Sequence, residues 1–327
     1  MRTAGIIRII IGLVIAVLLT AILVVLLTGN NIFGRLGWDG GWVNSIVERA
    51  TYTSGGMDVD SNEIIVSDEA KVSAASVQKI KIDWVAGSVN LVVGSGDEIV
   101  FHESSYRSLT DRQKMRYSVS DSGTLQIRYC QDLDNIFNWF SLDANMPAKD
   151  LTMEVPASLI GQLKDVEVDS VSADINLTGV YGTKTEMDTV SGKITCIDVT
   201  TDDLEMETTS GAVVTENTKA MSVSVDNVSG SVQLTGEFAR IDVDTVSGET
   251  RLNCMILPDK IEVDGVSGNI VIALPESASF TASLDSVSGS ISCDFPGTIG
   301  SDRVTVGDGS ANFRCNTVSG NLKIQKY

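Results

Sequence analysis

A nine-residue phrase built on Val-Ser-Gly recurs through the second half of the chain, and few folds are open to a chain that repeats itself this often. It runs Asp188-Thr-Val-Ser-Gly192-Lys-Ile-Thr-Cys196, Glu207-Thr-Thr-Ser-Gly211-Ala-Val-Val-Thr215 and Asp226-Asn-Val-Ser-Gly230-Ser-Val-Gln-Leu234. It continues as Asp244-Thr-Val-Ser-Gly248-Glu-Thr-Arg-Leu252, Asp264-Gly-Val-Ser-Gly268-Asn-Ile-Val-Ile272, Asp285-Ser-Val-Ser-Gly289-Ser-Ile-Ser-Cys293 and Asn316-Thr-Val-Ser-Gly320-Asn-Leu-Lys-Ile324. Asp169-Ser-Val-Ser-Ala173-Asp-Ile-Asn-Leu177 precedes the array, and Asp83-Trp-Val-Ala-Gly87-Ser-Val-Asn-Leu91 is an outlying copy. From Ala173 onward the corner residues step by 19, 19, 19, 18, 20, 21 and 31 positions. A fixed period near 20 marks a stacked architecture in which each unit packs only against its neighbours.

With the glycine as position 0, apolar residues recur at −7, −5, −2, +2 and +4, as in Ile261, Val263, Val266, Ile270 and Ile272; Thr250 is an exception at +2. Period-two alternation over short runs bounded by Ser and Gly specifies half-buried strands. The changed spacing between −5 and −2 calls for a bend, with the −4 Asp capping backbone N–H groups and the glycine free to take positive φ. Each unit is therefore expected to be strand, corner, strand. Two such strands cannot bury their apolar faces alone, and stacking at about 4.8 Å closes a continuous core. The expected fold is all-β: a single-stranded β-helix-like solenoid of roughly 20-residue repeats, preceded by one N-terminal transmembrane helix. The 31-residue last step holds an excursion around Pro296–Gly309 that is expected to cover a terminal edge.

The N-terminus supplies the membrane segment. Ile6 to Leu27 is apolar apart from Arg8, and no small-x-small cleavage site or lipobox cysteine follows. At about 1.5 Å per residue it spans a hydrocarbon core, so an uncleaved anchor is expected rather than a signal peptide. Arg2 and Arg8 place the tail in the cytoplasm and the remainder outside. The expected organisation is a tail (1–5), a transmembrane helix (6–28), a stalk (29–78) with some β-structure at Glu63–Val66, and a solenoid (79–327). The solenoid divides into an irregular part, 79–165, and the repeats, 166–327.

At this point the chain resembles the bacterial DUF4097 family, whose members are described as candidate adhesins or β-strand repeat proteins. The resemblance rests on Lys79-Ile-Lys-Ile-Asp-Trp-Val-Ala-Gly-Ser-Val-Asn-Leu91, Asp121-Ser-Gly-Thr-Leu-Gln-Ile127, Leu151–Pro156 and the repeat array with Ile272-Ala-Leu-Pro275 before Phe280. Gln131–Asp150 departs from the simpler pattern. The resemblance implies a β-solenoid at a bacterial surface, often membrane-anchored and sometimes tied to envelope-stress systems. It implies no catalytic residues and no cofactor.

The formal charge is −19, from 43 acidic and 24 basic side chains, which repels nucleic acid and favours basic partners. Position −4 supplies a carboxyl ladder, Asp169, Asp188, Glu207, Asp226, Asp244, Asp264 and Asp285, joined at −6 by Glu167, Glu186, Glu205, Asp242 and Glu262. Stacked carboxylates about 5 Å apart repel by about 0.8 kcal/mol even in water. Ca²⁺ would relieve this, but no calcium-loop motif is present and a solvated acidic face is the expectation. The serines Ser172, Ser191, Ser210, Ser229, Ser247, Ser267, Ser288 and Ser319 read as corner hydrogen-bonding groups, because a nucleophile must differ from its copies. A Ser/His/Asp triad would need His102, the only histidine, and no nucleophile-elbow motif supports one. Phe137, Trp139 and Phe140 form an aromatic cluster, either a cap over the solenoid or a partner-binding patch. The five cysteines are too far apart for a CxxC motif, and Cys196 and Cys293 read as small core residues. The expected function is a non-enzymatic, adhesin-like surface module that binds an envelope protein or wall polymer. An accessory of an envelope-stress system, docking a membrane partner, is the alternative.

Overall fold

The computed structural model describes residues 63–66, 69–130 and 147–327. The segments expected to form the tail and membrane helix lie outside these residues, as does the stalk up to residue 62. Among the described residues no helix is long and apolar enough to cross a membrane.

The repeats form a parallel β-solenoid. Each coil contributes one strand to each of two ladders, with the corner glycine between them. In the first ladder Asp165–Ser170, Lys184–Thr189 and Thr200–Thr208 stack in register and continue through Val213–Ser229, Val232–Ser247 and Lys260–Ser267. Residues at −7 and −5, such as Val168, Met206, Val225, Val243 and Val263, meet those at +2 and +4, such as Ile175, Val232, Leu252 and Ile272, and all are buried.

The −2 position does not belong to this core. Val171, Val190, Val228, Val246 and Val266 are only half-buried, and the third inward position of the first strand is −3. Ser170, Thr189, Thr208, Asn227 and Thr317 occupy it as a buried polar column. The alternation therefore continues to the corner, and its last inward residue is polar because it must serve the turning backbone. The −3 hydroxyl, not the −4 carboxylate, takes the corner N–H: Gly192 donates to Thr189 Oγ1 at 3.1 Å, Gly211 to Thr208 Oγ1 at 3.0 Å and Ala173 to Ser170 Oγ at 2.9 Å. Further along, Gly230, Gly248 and Gly268 adopt φ of 148°, 143° and 139° and donate instead to the Ser247, Ser267 and Ser319 carbonyls of the adjacent coil.

Glycine is imposed by close approach. A Cβ at Gly192, Gly211, Gly230, Gly248 or Gly268 would lie 1.7–2.1 Å from the carbonyl oxygen of the corner residue beneath. Gly87 turns at φ 105°, and there the column accommodates its one methyl, that of Ala173.

Stack order departs from chain order at both ends. The outlying copy is an immediate neighbour: Lys79–Asp83 and Ala86–Gly94 pair with Asp165–Ser170 and Ser172–Thr178. Thr124–Arg128 and Lys149–Pro156, later in sequence, stack outside it. At the other end the last coil, Ala311–Ser319 and Leu322–Lys326, lies between Lys260–Ser267 with Ile270–Leu274 and the earlier Phe280–Ser288 with Ile291–Cys293.

Antiparallel strands close the stack. Arg303–Val306 covers Phe280–Ser288 and is itself paired by Thr298–Ile299, as expected of the excursion near Pro296. At the opposite end Arg116–Val119 and Ile64–Ile65 extend one ladder. Glu98–Ser105 and Glu69–Ser73 extend the other. The end of the expected stalk thus belongs to the folded unit, because an open ladder edge needs a partner. Large aromatics also gather at the ends, where Phe280 stacks on Phe313 at 5.2 Å and meets Phe295 edge-on at 5.5 Å.

Gly211→Ala and Gly265→Ala separate close approach from generic glycine loss. A Cβ at Gly265 would meet nothing nearer than 3.5 Å. Chemical denaturation should show Gly211→Ala losing about 3 kcal/mol or more and Gly265→Ala staying within about 1 kcal/mol of wild type.

Candidate functional site

Register turns the repeated acids into rows. On strands with period-two alternation, positions −6, −4 and −2 share the outer face of the first ladder. The −4 row runs Asp83, Asp169, Asp188, Glu207, Asp226, Asp244 and Asp264, each directly paired with the next. Arg128 follows Asp83 at one end, while Asn316 and then the exposed Asp285 follow Asp264 at the other. Asp83, Asp169 and Asp188 are buried at 1%, 1% and 2% exposure, and the rest up to Asp264 are half-buried. The −6 row beside it runs Lys81, Glu167, Glu186, Glu205, Ser224, Asp242, Glu262 and Arg314.

Cations serve particular stations along these rows. Lys81 pairs with Glu167 and, at 3.2 Å, with Asp169. Lys184 bridges Glu186 at 2.8 Å and Glu205 at 2.6 Å. Glu262 takes Lys260 and, at 3.3 Å, Arg314. Two amides contribute: Gln126 donates to Asp83 at 2.9 Å and Asn316 to Asp264 at 2.6 Å.

Burial would lower Lys81, but the charges of Asp169, Asp83 and Glu167 outweigh it and hold the ammonium above its usual range. Burial raises Asp169, against the pull of Lys81 and with the push of Asp83 and Glu167. Burial together with Asp226, Asp242, Asp264 and Glu262 pushes Asp244 up to about 8. Glu262 falls below the ordinary range because Lys260 hydrogen-bonds it. The rows spread carboxylates along a line rather than around a point. Among the described residues no group of three or more His, Cys, Asp or Glu is placed to hold a metal ion.

One profile accounts for the repeat and its outlying copy together. The sequence model of the family described as Toastrack DUF4097 matches residues 77–325. The chain belongs to this family. Among solved structures, this Toastrack chain is similar to a candidate adhesin from Parabacteroides distasonis, with 14% identity, 82% of this chain and 98% of that one covered, and a TM-score of 0.48. A candidate adhesin from Bacteroides fragilis gives 12% identity, coverage of 83% and 100%, and a TM-score of 0.39. A candidate lipid-binding protein from Parabacteroides distasonis gives 13%, 82% and 98%, and 0.39. Likenesses this distant say nothing of what the Toastrack chain binds. No curated protein matches it.

The remaining sequence-marked residues fall into structural places. Each Ser hydroxyl that bonds at the corner donates to a −2 carbonyl of the coil beneath: Ser172 to Val85 at 3.1 Å, Ser229 to Thr209 at 3.3 Å, and Ser210, Ser247 and Ser267 to Val190, Val228 and Val246 at 3.4 Å. His102 lies exposed on a capping strand, opposite Glu69 and Thr152 rather than any member of the Ser column. Phe137, Trp139 and Phe140 lie outside the described residues. Cys196 and Cys254 are buried thiols that burial pushes up to about 12, and Cys293 is half-buried.

The sequence reading missed a buried charge. Lys149 stands at the corner position of its coil, opposite Gly87, with its ammonium 2.6 Å from Glu103 and over the rings of Tyr129 (3.9 Å) and Trp84 (5.0 Å). It also donates to the carbonyls of Tyr129 and, at 2.7 Å, Gln113, while Trp84 Nε1 donates to the Lys149 carbonyl at 2.9 Å. Burial lowers Lys149, against the pull of Glu103. A charge expelled from water persists only when paired and hydrogen-bonded. Lys149→Ala strands Glu103 and should cost about 3–5 kcal/mol by urea unfolding; Lys149→Met with Glu103→Gln should recover most of that loss.

Proposed function

We propose that the chain is a non-enzymatic binding module of a bacterial cell envelope, anchored by one membrane helix over residues 6–28 with its solenoid on the extracytoplasmic side. The apolar run Ile6–Leu27 and its Arg2/Arg8 flank support the anchor and orientation. The observation that carries the binding role is the contrast between ends and sides. Antiparallel strands close the ends, whereas the sides repeat the same residue positions coil after coil. Contact through the sides suits an extended partner, either an envelope protein or a wall polymer. The acidic rows favour basic groups on that partner and disfavour nucleic acid. The corner serines are spent on carbonyls, and burial disfavours the thiolate at Cys196 and Cys254, so neither set is primed as a nucleophile.

Crosslinking the full-length chain in its native membranes, followed by purification at low and high salt, tests this reading. An envelope protein or wall polymer should be retained at low salt and released at high salt. Capture no greater than that of an unrelated acidic membrane protein would overturn it. External protease on intact spheroplasts should cut the solenoid while sparing a tag at the N-terminus.

A further inference from the structure

We propose that the −4 carboxyl row binds protons at neutral pH, with Asp169 and Asp244 as the holders, and that losing them in alkali loosens the central coils. Register forces neighbouring carboxyls to strand spacing, about 4.8 Å. At that distance like charges repel, more strongly where burial lowers the effective dielectric. A side chain locked in the ladder cannot move away, so binding a proton is the available relief.

Asp169 shows the cost of burial directly. It is 1% exposed, and Lys81 meets Oδ2 while Oδ1 is buried without a hydrogen-bond partner. A protonated carboxyl gains a donor that a carboxylate lacks, in a place where Asp83 and Asp188 flank it in register.

Asp244 is surrounded by acids. Asp226 and Asp264 flank it in the row, Asp242 shares its strand, and Glu262 lies diagonally across. Arg240, on the same strand, and Lys260, on the next, pair with each other in register four positions before Asp244 and Asp264, and the Lys260 ammonium is held by Glu262. Half-buried Val228, Val246 and Val266 form the adjoining −2 row. Consistent with this setting, Asp244 keeps its proton to about 8.

An aspartate in the unfolded chain loses its proton near pH 4, so between about 4 and 8 the folded chain binds a proton that the unfolded chain does not. Stability from this group is fully present below that interval and is lost as pH rises through it, by up to about tenfold in the folding constant per pH unit.

The test uses the full-length chain in detergent. Infrared spectra at pH 7 should show a protonated-carboxyl band that disappears by pH 10 and weakens in Asp244→Asn. The melting temperature of wild type should fall from pH 5 to pH 9. Asp244→Asn should fall less and exceed wild type at pH 9, whereas Asp285→Asn, at the exposed end of the row, should follow wild type. Absence of the infrared band at pH 7 would overturn the proposal, as would equal pH slopes for all three proteins. If Asp244→Asn fails to fold, the wild-type band decides alone.

Discussion

The column of corner residues governs this structure. From Gly192 onward each corner glycine sits so close to the carbonyl of a stacked neighbour that a Cβ would fall 1.7–2.1 Å from the oxygen. Such contact fixes the height of a coil and its rotation relative to the next. Once the corner is fixed, every other position follows, and a residue type repeated in sequence becomes a column in space. The inward columns supply the core, and the backbone that the turn would strand is satisfied by Ser at −1 and Asn at −3 donating to its carbonyls and by Ser or Thr at −3 accepting from its N–H groups.

The same constraint creates the electrostatic problem on the outer face. A solvated surface can scatter like charges, but a ladder cannot. The −4 row therefore depends on groups around its ends and on its −6 companions: Lys81 near Asp169, Lys184 between Glu186 and Glu205, and Asn316 against Asp264. Between those stations lies Asp244, where the influencing neighbours are all acidic. The face is thus negative and regular, which links the packing rule to the proposed binding role.

The ends obey a different logic. A coil in mid-stack is covered on both sides by copies of itself, but an outermost coil is not. The chain closes each end by running past the inner coil, laying down an outer one and returning. Phe280 on Phe313, Trp84 against Tyr129 at 5.0 Å and Phe101 against Tyr117 at 5.1 Å fill cores that no further repeat covers. The buried Lys149–Glu103 pair belongs to this irregular region, where no column of equivalents dictates the residue.

The sequence by itself determined the repeat, its period, the strand–corner–strand unit, the rows of Asp and Ser, and the stacking that turns spacing into register. These depend on local alternation and glycine chemistry, which a linear pattern carries. It misplaced the −2 valines and the −4 caps, because the buried partner of the turn is a short polar residue at −3 that alternation alone marks as a defect. Only the tertiary structure decided that 311–326 stacks inside 280–293, that 79–94 adjoins 165–178, and that Lys149 meets Glu103. Those pairings join residues far apart in the chain, and what selects them is the need to cover an open edge and to neutralise a buried charge. Both are properties of the assembled stack, and no single repeat encodes them.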